Sequence, residues 1–311
     1  MTRISPFVLA LLLLAFAPAA YPATAHYVDN SASPGCSDSS PGTSPSAPWC
    51  TAARAASALP TFAPGDLVLF KCGDRWNEQF TVPSGVHGSP GRNIVIGHYG
   101  SNCLLPKGGY TAVLPVLSGG SIRAHGVFVP DHSAVTYLTI DGFDVRDTTT
   151  GGINVIAYRG NKPGIVIKNN VVHEVGPGAC TGCGSPSDSG RYGEENAGIS
   201  FSDYGSGDGQ SYSDGVKILN NTVWDTGGHN TLRVHFDGSP DLLVDGNTVG
   251  PGCIHNCIDT KAINGVVSHN ITTCPDRSAR GGQCGPANAG FYSENNAIVA
   301  GTHPHWEYNI A

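Results

Sequence analysis

Ile165-Val166-Ile167-Lys168-Asn169-Asn170 is a short apolar segment that ends in asparagine, and this form recurs further along the chain. The other copies are Val216–Asn221, Leu242–Asn247 and Gly265–Asn270, with Tyr137–Gly142 as a weaker one. The final asparagines follow one another after 51, 26 and 23 residues. Stacked copies would place them about 4.8 Å apart, where side-chain amides can bond to one another, and asparagine tolerates the left-handed backbone of a corner. We therefore predict stacked repeats with an asparagine ladder at one corner.

A second set of strands, with alternating apolar and polar residues, lies between these copies: Ile153–Ile156, Ile199–Ser202, Leu232–His235, Ile258–Lys261 and Phe291–Glu294. Two strands per unit predict one coil of a parallel β-solenoid per unit, in which each coil buries its apolar face against its neighbours. The 51-residue interval then holds two insertions, at about residues 173–197 and 203–214. Long loops on one side of a repeat scaffold are where function is usually placed.

The composition agrees with a turn-rich β protein. Glycine and proline together make 64 of 311 residues, about 21%, against an average of roughly 12%. Charged residues supply only 13%, while 40% of the residues are hydrophobic, which is enough to bury a core. The formal net charge is −7, and no run of lysine or arginine forms a basic patch. We therefore expect no nucleic acid and no membrane partner.

Residues 1–25 have the layout of a secretory signal peptide, with one early charge at Arg3, an apolar run over 7–17 and a small-x-small site before His26. A membrane anchor is the alternative, but the apolar run is shorter than the roughly 20 residues that span a bilayer. We expect a secreted, extracellular protein whose mature chain starts near His26.

All ten cysteines follow this segment, and an even number in an oxidising compartment predicts up to five disulfides. Proximity in sequence suggests that Cys36 pairs with Cys50, Cys72 with Cys103, Cys253 with Cys257 and Cys274 with Cys284. Cys180 and Cys183 remain in a CxxC spacing, for which a disulfide is favoured over a redox or zinc site because no further ligand set is near.

The opening region predicts a short alanine-rich helix from Thr51 to Leu59, which would cover the open apolar end of the first coil. This opening, through Val82-Pro83-Ser84-Gly85, Gly88–Gly91 and Ile94–Gly100, resembles the N-terminal region of bacterial right-handed parallel β-helix proteins of the pectate-lyase-like superfamily. The resemblance implies an all-β, right-handed parallel β-helix with a short N-terminal capping helix. It also implies an extracellular enzyme acting on acidic or neutral polysaccharides. We expect a capping segment and first coils over 26–100 and the parallel β-helix with its inserted loops over 101–311. The tail, 301–311, offers no capping helix, so we expect an irregular cover or a partner there.

Alternation along the second set of strands predicts two exposed columns of outward side chains when the strands stack. One column is Asn154, Ser200, Arg233, Asp259 and Tyr292, and the other is Ile156, Ser202, His235, Lys261 and Glu294. The later coils concentrate ionisable groups, which favours a functional site. The alternative is a solvated sheet face whose opposite charges stabilise the stack.

Such a patch suits β-elimination in a uronate polymer, which requires neutralisation of a carboxylate and removal of the neighbouring proton. The resemblance implies a lysine or arginine base on this kind of strand, so we predict Lys261 as the base and Arg233 as the neutralising partner. A lysine acting near neutral pH needs its pKa lowered from about 10.4 by positive charge and desolvation. His235 is an alternative base or a proton donor, Asp259 belongs to the same catalytic group, and Tyr292 and Glu294 are predicted to bind substrate.

Calcium is the predicted cofactor, held by Asp203, Asp237 and Asp259, with Glu194 or Glu195 as further oxygen ligands. These aspartates lack the spacing of a known calcium motif, and Asp208 and Asp241 are better explained as turn caps.

Three functions therefore remain for a monomer whose partner is a polysaccharide. The first is a polysaccharide lyase. The second is a glycoside hydrolase that uses Asp237 or Asp259 with Glu294 as paired carboxylates. The third is a non-catalytic, glycan-binding surface solenoid, and fold alone does not decide among them.

Overall fold

The computed structural model describes residues 22–32, 35–106, 111–157, 161–176, 197–203, 213–226, 230–236, 241–251, 256–261, 265–273, 291–293 and 305–310. Within these residues the protein is almost entirely β, with one α-helix, α1 (Ala52–Ala58), and one short 3-10 helix (Leu59–Thr61). The strands are β1 (Ala25–Val28), β2 (Leu67–Lys71), β3 (Arg75–Trp76), β4 (Phe80–Thr81), β5 (Val86–His87), β6 (Ile94–Tyr99), β7 (Val116–Ser118), β8 (His125–Val129), β9 (Val135–Thr136), β10 (Leu138–Asp141), β11 (Asp144–Thr148), β12 (Gly151–Ile156), β13 (Val166–Lys168), β14 (Val171–Val175), β15 (Ala197–Asp203), β16 (Lys217–Leu219), β17 (Thr222–Val223), β18 (Asn230–Phe236), β19 (Leu243–Asp245), β20 (Thr248–Val249), β21 (Asn256–Lys261), β22 (Val266–Ser268), β23 (Ile271–Thr272), β24 (Phe291–Ser293) and β25 (His305–Glu307).

Three sheets share these strands, and their neighbouring strands pair in parallel. Sheet A has nine strands in the order β1-β2-β6-β10-β13-β16-β19-β22-β25. Sheet B has seven, β3-β7-β11-β14-β17-β20-β23, and sheet C has seven, β4-β8-β12-β15-β18-β21-β24. A further parallel pair joins β5 to β9. The predicted all-β class with parallel strands is confirmed.

From β2 onward the chain visits sheets A, B and C in rotation, with β5 and β9 as additions between C and A. We call one passage through the three sheets a repeat. The prediction of two strands per unit was wrong, because each repeat has three. The strands of sheet B were missed because several of them, such as β17 and β20, are only two residues long and show no periodicity.

The core lies between the three sheets and consists of stacked apolar columns. Sheet C contributes one column of Ile153, Ile199, Leu232 and Ile258, which pair in register and are 0% exposed. Burying an aliphatic side chain of this size stabilises a fold by roughly 1.5–3 kcal/mol. Each repeat thus buries its apolar side chains mainly against the repeats before and after it.

The predicted asparagine ladder is confirmed, and it runs one step further than expected. Asn170, Asn221, Asn247, Asn270 and Asn309 are stacked, and the side-chain Nδ2 of each of the first four donates to the Oδ1 of the next at 2.8–3.0 Å. The backbone N–H of each of these four donates to the same Oδ1 at 2.9–3.0 Å. The ladder therefore satisfies backbone and side-chain groups that are buried at the corner between sheets A and B.

The left-handed residue at this corner is not the ladder asparagine, as we predicted, but the residue before it. Asn169, Asn220, His269 and Tyr308 have φ values of 51–56°, and Gly246 has 68°. From β10 onward this corner comprises two residues: 169–170 joins β13 to β14, 220–221 joins β16 to β17, and 269–270 joins β22 to β23, whereas residues 72–74 join β2 to β3 and residues 100–115 join β6 to β7. The first residue turns the chain from sheet A toward sheet B, and the second places its side chain in the ladder.

The N-terminal part contains the predicted helix and two of the predicted disulfides. Ala52 and Ala55 of α1 are 0% exposed within the hydrophobic core, and the Thr51 hydroxyl caps the helix by accepting from the backbone N–H of Arg54. Cys36 is bonded to Cys50 and Cys72 to Cys103. Cys257 is also disulfide-bonded. The remaining five cysteines, 180, 183, 253, 274 and 284, lie outside the described residues.

At the C-terminal end, part of the tail forms a strand, where the sequence predicted only an irregular cover or a partner. Strand β25 extends sheet A by pairing with β22, so the tail supplies an additional strand. Most of the predicted signal peptide and most of both predicted insertions lie outside the described residues, although β14 continues through Val175 and β15 begins at Ala197. None of the described helices is both long and apolar enough to cross a bilayer.

Candidate functional site

The two predicted columns exist on sheet C, with the predicted register. Asn154 pairs with Ser200, Ser200 with Arg233, Arg233 with Asp259, and Asp259 with Tyr292. In the second column, Ile156 pairs with Ser202, Ser202 with His235, and His235 with Lys261. The parallel pairing therefore places the later ionisable residues on neighbouring strands, as the alternation predicted.

Arg233 is held by two side chains of the second column. Its Nη1 donates to Ser202 Oγ at 3.2 Å, and its Nη2 lies 2.9 Å from His235 Nδ1. Because a guanidinium has no acceptor and keeps its protons, His235 Nδ1 must accept this hydrogen bond. The proton of the neutral imidazole is then on Nε2.

His235 Nε2 faces Asp259, at 3.1 Å from Oδ2. The two atoms are close enough to interact electrostatically, but the N–H of Nε2 is not aligned on the oxygen as in a hydrogen bond. Asp259 Oδ2 also accepts a hydrogen bond from Asn230 Nδ2 at 2.7 Å. The result is a connected set, Ser202, Arg233, His235, Asp259 and Asn230, which we call the sheet C network. One guanidinium and one carboxylate balance its charge.

The prediction that these columns are exposed was wrong for every member whose side chain the structure describes. Arg233 and Asp259 are each 2% exposed and His235 is 3% exposed, and the earlier members Asn154 and Ser200 are equally buried. The side chains on the face of sheet C that points away from the core are therefore buried as well, so both faces of this sheet are shielded from water. Parallel sheets commonly have both faces covered. Because the network is desolvated, each of its charges needs compensating partners nearby.

Several predicted site residues are placed only by their backbone or not at all. Lys261, Tyr292 and Asp203 belong to β21, β24 and β15, and their side chains lie outside what the structure describes. Asp237 and Glu294 lie outside the described residues altogether, as do Glu194 and Glu195. The structure therefore assembles Arg233, His235 and Asp259 and brings the backbone of Lys261 beside that of His235.

Two polar residues of this region were missed from the sequence. Asn230 and Asn256 begin β18 and β21 and pair in register, and both are buried. Our alignment of strands started at Leu232 and Ile258, two residues too late. Extending it by two residues would have shown asparagine repeated at one position of neighbouring repeats.

The residues described do not provide a calcium site. Of the three predicted aspartate ligands, Asp259 alone has a described side chain, and its Oδ2 is already bound to Asn230 and close to His235. Within the described ranges, no group of three or more histidine, cysteine, aspartate or glutamate side chains could hold a metal ion. Calcium thus remains a prediction, and no chemical step below depends on it.

The structure so far defines a class: an all-β protein of three parallel sheets with a buried Arg-His-Asp network on one of them. No protein-family model matches the sequence, and no curated protein matches it. Among solved structures, the chain is similar to an alginate lyase from Paenibacillus sp. str. FPU-7, with a TM-score of 0.52 and 15% identity over 83% of this chain and 84% of that one. It is also similar to a GH136 lacto-N-biosidase from Eubacterium ramulus, with a TM-score of 0.46 and 13% identity over 87% of this chain and 50% of that one. At these identities the likeness is one of fold.

Proposed function

We propose that this protein is a carbohydrate-active enzyme, and specifically a polysaccharide lyase that cleaves a uronate-containing polymer by β-elimination. The observation that carries the proposal is the sheet C network together with its register: Arg233 pairs with Asp259, and the backbone of Lys261 pairs with that of His235. A cation and a candidate base on adjacent strands are the two groups that this reaction needs.

The fold supports the proposal without deciding it. The rotation of the chain through sheets A, B and C supports a parallel β-helix, and connections between parallel strands of one sheet are almost always right-handed. A protein of similar fold is an alginate lyase, which is compatible with a uronate polymer as the substrate here. The disulfides support the proposal that the protein is secreted.

In the proposed reaction, Lys261 takes the proton from the carbon next to the uronate carboxylate. The electron pair of that C–H bond forms a carbon–carbon double bond, and the bond from the neighbouring carbon to the glycosidic oxygen breaks. That oxygen takes up a proton, and Lys261 gives up the proton it took, so that the base is regenerated. Arg233 supplies the positive charge that stabilises the developing enolate. The polymer is thus cut without water being consumed, and the new end is unsaturated.

We propose Lys261 and not His235 as the base, because His235 is already engaged. Both ring nitrogens of His235 already face partners, with Nδ1 toward Arg233 and Nε2 toward Asp259. We propose that His235 connects the guanidinium to the carboxylate and does not itself take the substrate proton. We propose that Tyr292, whose backbone pairs with that of Asp259 on the neighbouring strand, binds substrate.

The proposal also requires that the polymer reach the Arg233 guanidinium. With Arg233 2% exposed, a polymer cannot touch the guanidinium in the conformation described. Catalysis therefore requires a rearrangement that uncovers the outer face of sheet C. If that face stays closed, the network is a structural core, and the glycan-binding solenoid becomes the better explanation.

The test is incubation of the purified protein with pectate, alginate and glycosaminoglycans, with and without calcium, while ultraviolet absorbance reports unsaturated ends. We expect absorbance to rise with at least one polymer and Lys261→Ala to abolish the rise. Lys217→Ala is the matched control, because Lys217 is an exposed strand lysine on sheet A and should leave the rate unchanged.

Three outcomes would contradict the proposal. New reducing ends without absorbance would indicate a hydrolase. Glycan binding without any product would indicate a binding protein. Full activity of Lys261→Ala would remove this lysine from the mechanism.

A further inference from the structure

We infer that Asn230 is a positioning residue of the sheet C network: it fixes Asp259, and through Asp259 it fixes His235 and Arg233. Its role in catalysis rests on the proposed function, whereas its role in orienting His235 does not. Asn230 begins β18, the strand that also carries Arg233 and His235, while Asp259 belongs to β21. The hydrogen bond from Asn230 therefore ties the carboxylate of one repeat to the strand before it.

The contact is short and fully buried. Asn230 Nδ2 lies 2.7 Å from Asp259 Oδ2, and both residues are 2% exposed. A hydrogen bond from a neutral amide to a desolvated carboxylate is of the charge-assisted kind, which is about twice as strong as a neutral one. Water has little access to this site to replace the bond if it is lost.

The carboxylate oxygen that Asn230 holds is the one that faces His235. Oδ2 accepts from Asn230 and lies 3.1 Å from His235 Nε2, whereas Oδ1 has no hydrogen-bond partner in the described part of the chain. The orientation of the carboxylate therefore depends on its Oδ2 contacts. Without Asn230, the carboxylate is free to rotate about its Cβ–Cγ bond and Oδ2 can leave His235.

A displaced Asp259 would change the imidazole in turn. The proton of neutral His235 is placed on Nε2 because Nδ1 accepts from Arg233 and Nε2 faces a carboxylate oxygen. If Oδ2 moves away from Nε2, the attraction that stabilises the proton on Nε2 is weakened. The ring can then turn away from Arg233 Nη2. Asn230 thus acts on Arg233 through two intermediates and does not itself touch the substrate.

Asn256 provides a matched control within the same fold. It pairs in register with Asn230, is 1% exposed, and its side-chain amide makes no hydrogen bond within the ranges described. A truncation there removes the same side chain at the equivalent position of the next repeat. It leaves the contact between Asn230 and Asp259 in place.

The experiment compares Asn230→Ala, Asn230→Leu and Asn256→Ala with the wild type by nitrogen NMR of histidine-labelled protein near pH 8. The His235 signals are assigned by their absence from His235→Gln. We expect the wild type to show the Nε2–H tautomer and both Asn230 variants to shift the His235 ring signals, because leucine keeps the branched shape of asparagine but has no donor. Asn256→Ala should leave those signals unchanged. Circular dichroism confirms folding, and the leucine variant serves if the alanine variant does not fold.

On a cleaved polymer, we expect the Asn230 variants to lower kcat by ten- to a hundredfold with KM changed by less than about threefold, the scale of a small misplacement of catalytic groups. Unchanged His235 signals in a folded Asn230 variant would overturn the inference, and so would an equal shift in Asn256→Ala. If the wild type cleaves no polymer while the signals shift as expected, the proposed function fails and the positioning of His235 stands.

Discussion

Replacing Asn221 by alanine tests how much the asparagine ladder stabilises the fold. Asn221 is 0% exposed, and its side chain makes four hydrogen bonds of 3.0 Å. Its Oδ1 accepts from the backbone N–H and the Nδ2 of Asn170, and its Nδ2 donates to the carbonyl of Ile167 and to Oδ1 of Asn247. At about 1 kcal/mol of net stabilisation per buried bond, the substitution should cost about 4 kcal/mol. That is a large part of the 5–15 kcal/mol of a typical domain.

Urea denaturation of the disulfide-intact protein measures this cost, and hydrogen exchange at the Asn170 amide reports the corner itself. Lys217→Ala is the control, because Lys217 is exposed on the neighbouring strand β16, and its loss should change stability by less than about 0.5 kcal/mol. A loss below 1 kcal/mol for Asn221→Ala, at an unchanged dependence on urea, would refute the reasoning. Water would then replace the ladder bonds at almost no cost.

Three further predictions concern stability. Burial lowers the pKa of His125 to about 4, against a smaller raising effect of its hydrogen bond with the Gly151 backbone. As the pH falls, the imidazole therefore takes up a proton at about pH 6.5 in the unfolded chain but only at about pH 4 in the folded protein. The free energy of unfolding should fall over that window by up to roughly 3 kcal/mol. In urea titrations at pH 7 and 4.5, His125→Phe should reduce this fall. Gly152→Ala should lower the melting temperature by several degrees, because its Cβ would collide with the carbonyl of Gly198 in the adjacent strand, and a melting temperature equal to the wild type would contradict this contact. Cys72→Ser with Cys103→Ser should cost roughly 3–4 kcal/mol by opening a loop with a sequence separation of 31, and a loss under 1 kcal/mol in denaturant would show that the loop is already restricted when unfolded.

The repeats and the ladder could be predicted from the sequence because they depend on local patterns. A short apolar segment that ends in asparagine identifies β13, β16, β19 and β22 of sheet A, and alternation identifies the register of sheet C. Sheet B could not be found in this way, because two residues such as Thr222 and Val223 carry no period. Asn309 was overlooked because Trp306 and Glu307 before it break the apolar pattern of the other copies.

The composition of the candidate site was predictable, but its surroundings were not. Register alone brings Arg233 beside Asp259 and His235 beside Lys261. Whether these side chains meet water depends on what covers the outer face of sheet C, and no short-range pattern contains that information. The same limit hid Asn230, whose contact with Asp259 joins residues 29 positions apart in the chain.

From β10 onward, the corner between sheets A and B has a constant length of two residues, whereas the connection from sheet B to sheet C differs in length from one repeat to the next. Between β14 and β15 the chain spans residues 176–196, whereas residues 224–229 join β17 to β18. A chimera that exchanges these later repeats should therefore be joined at the ladder asparagines, where the repeats share one frame, and new binding loops should be grafted before the strands of sheet C.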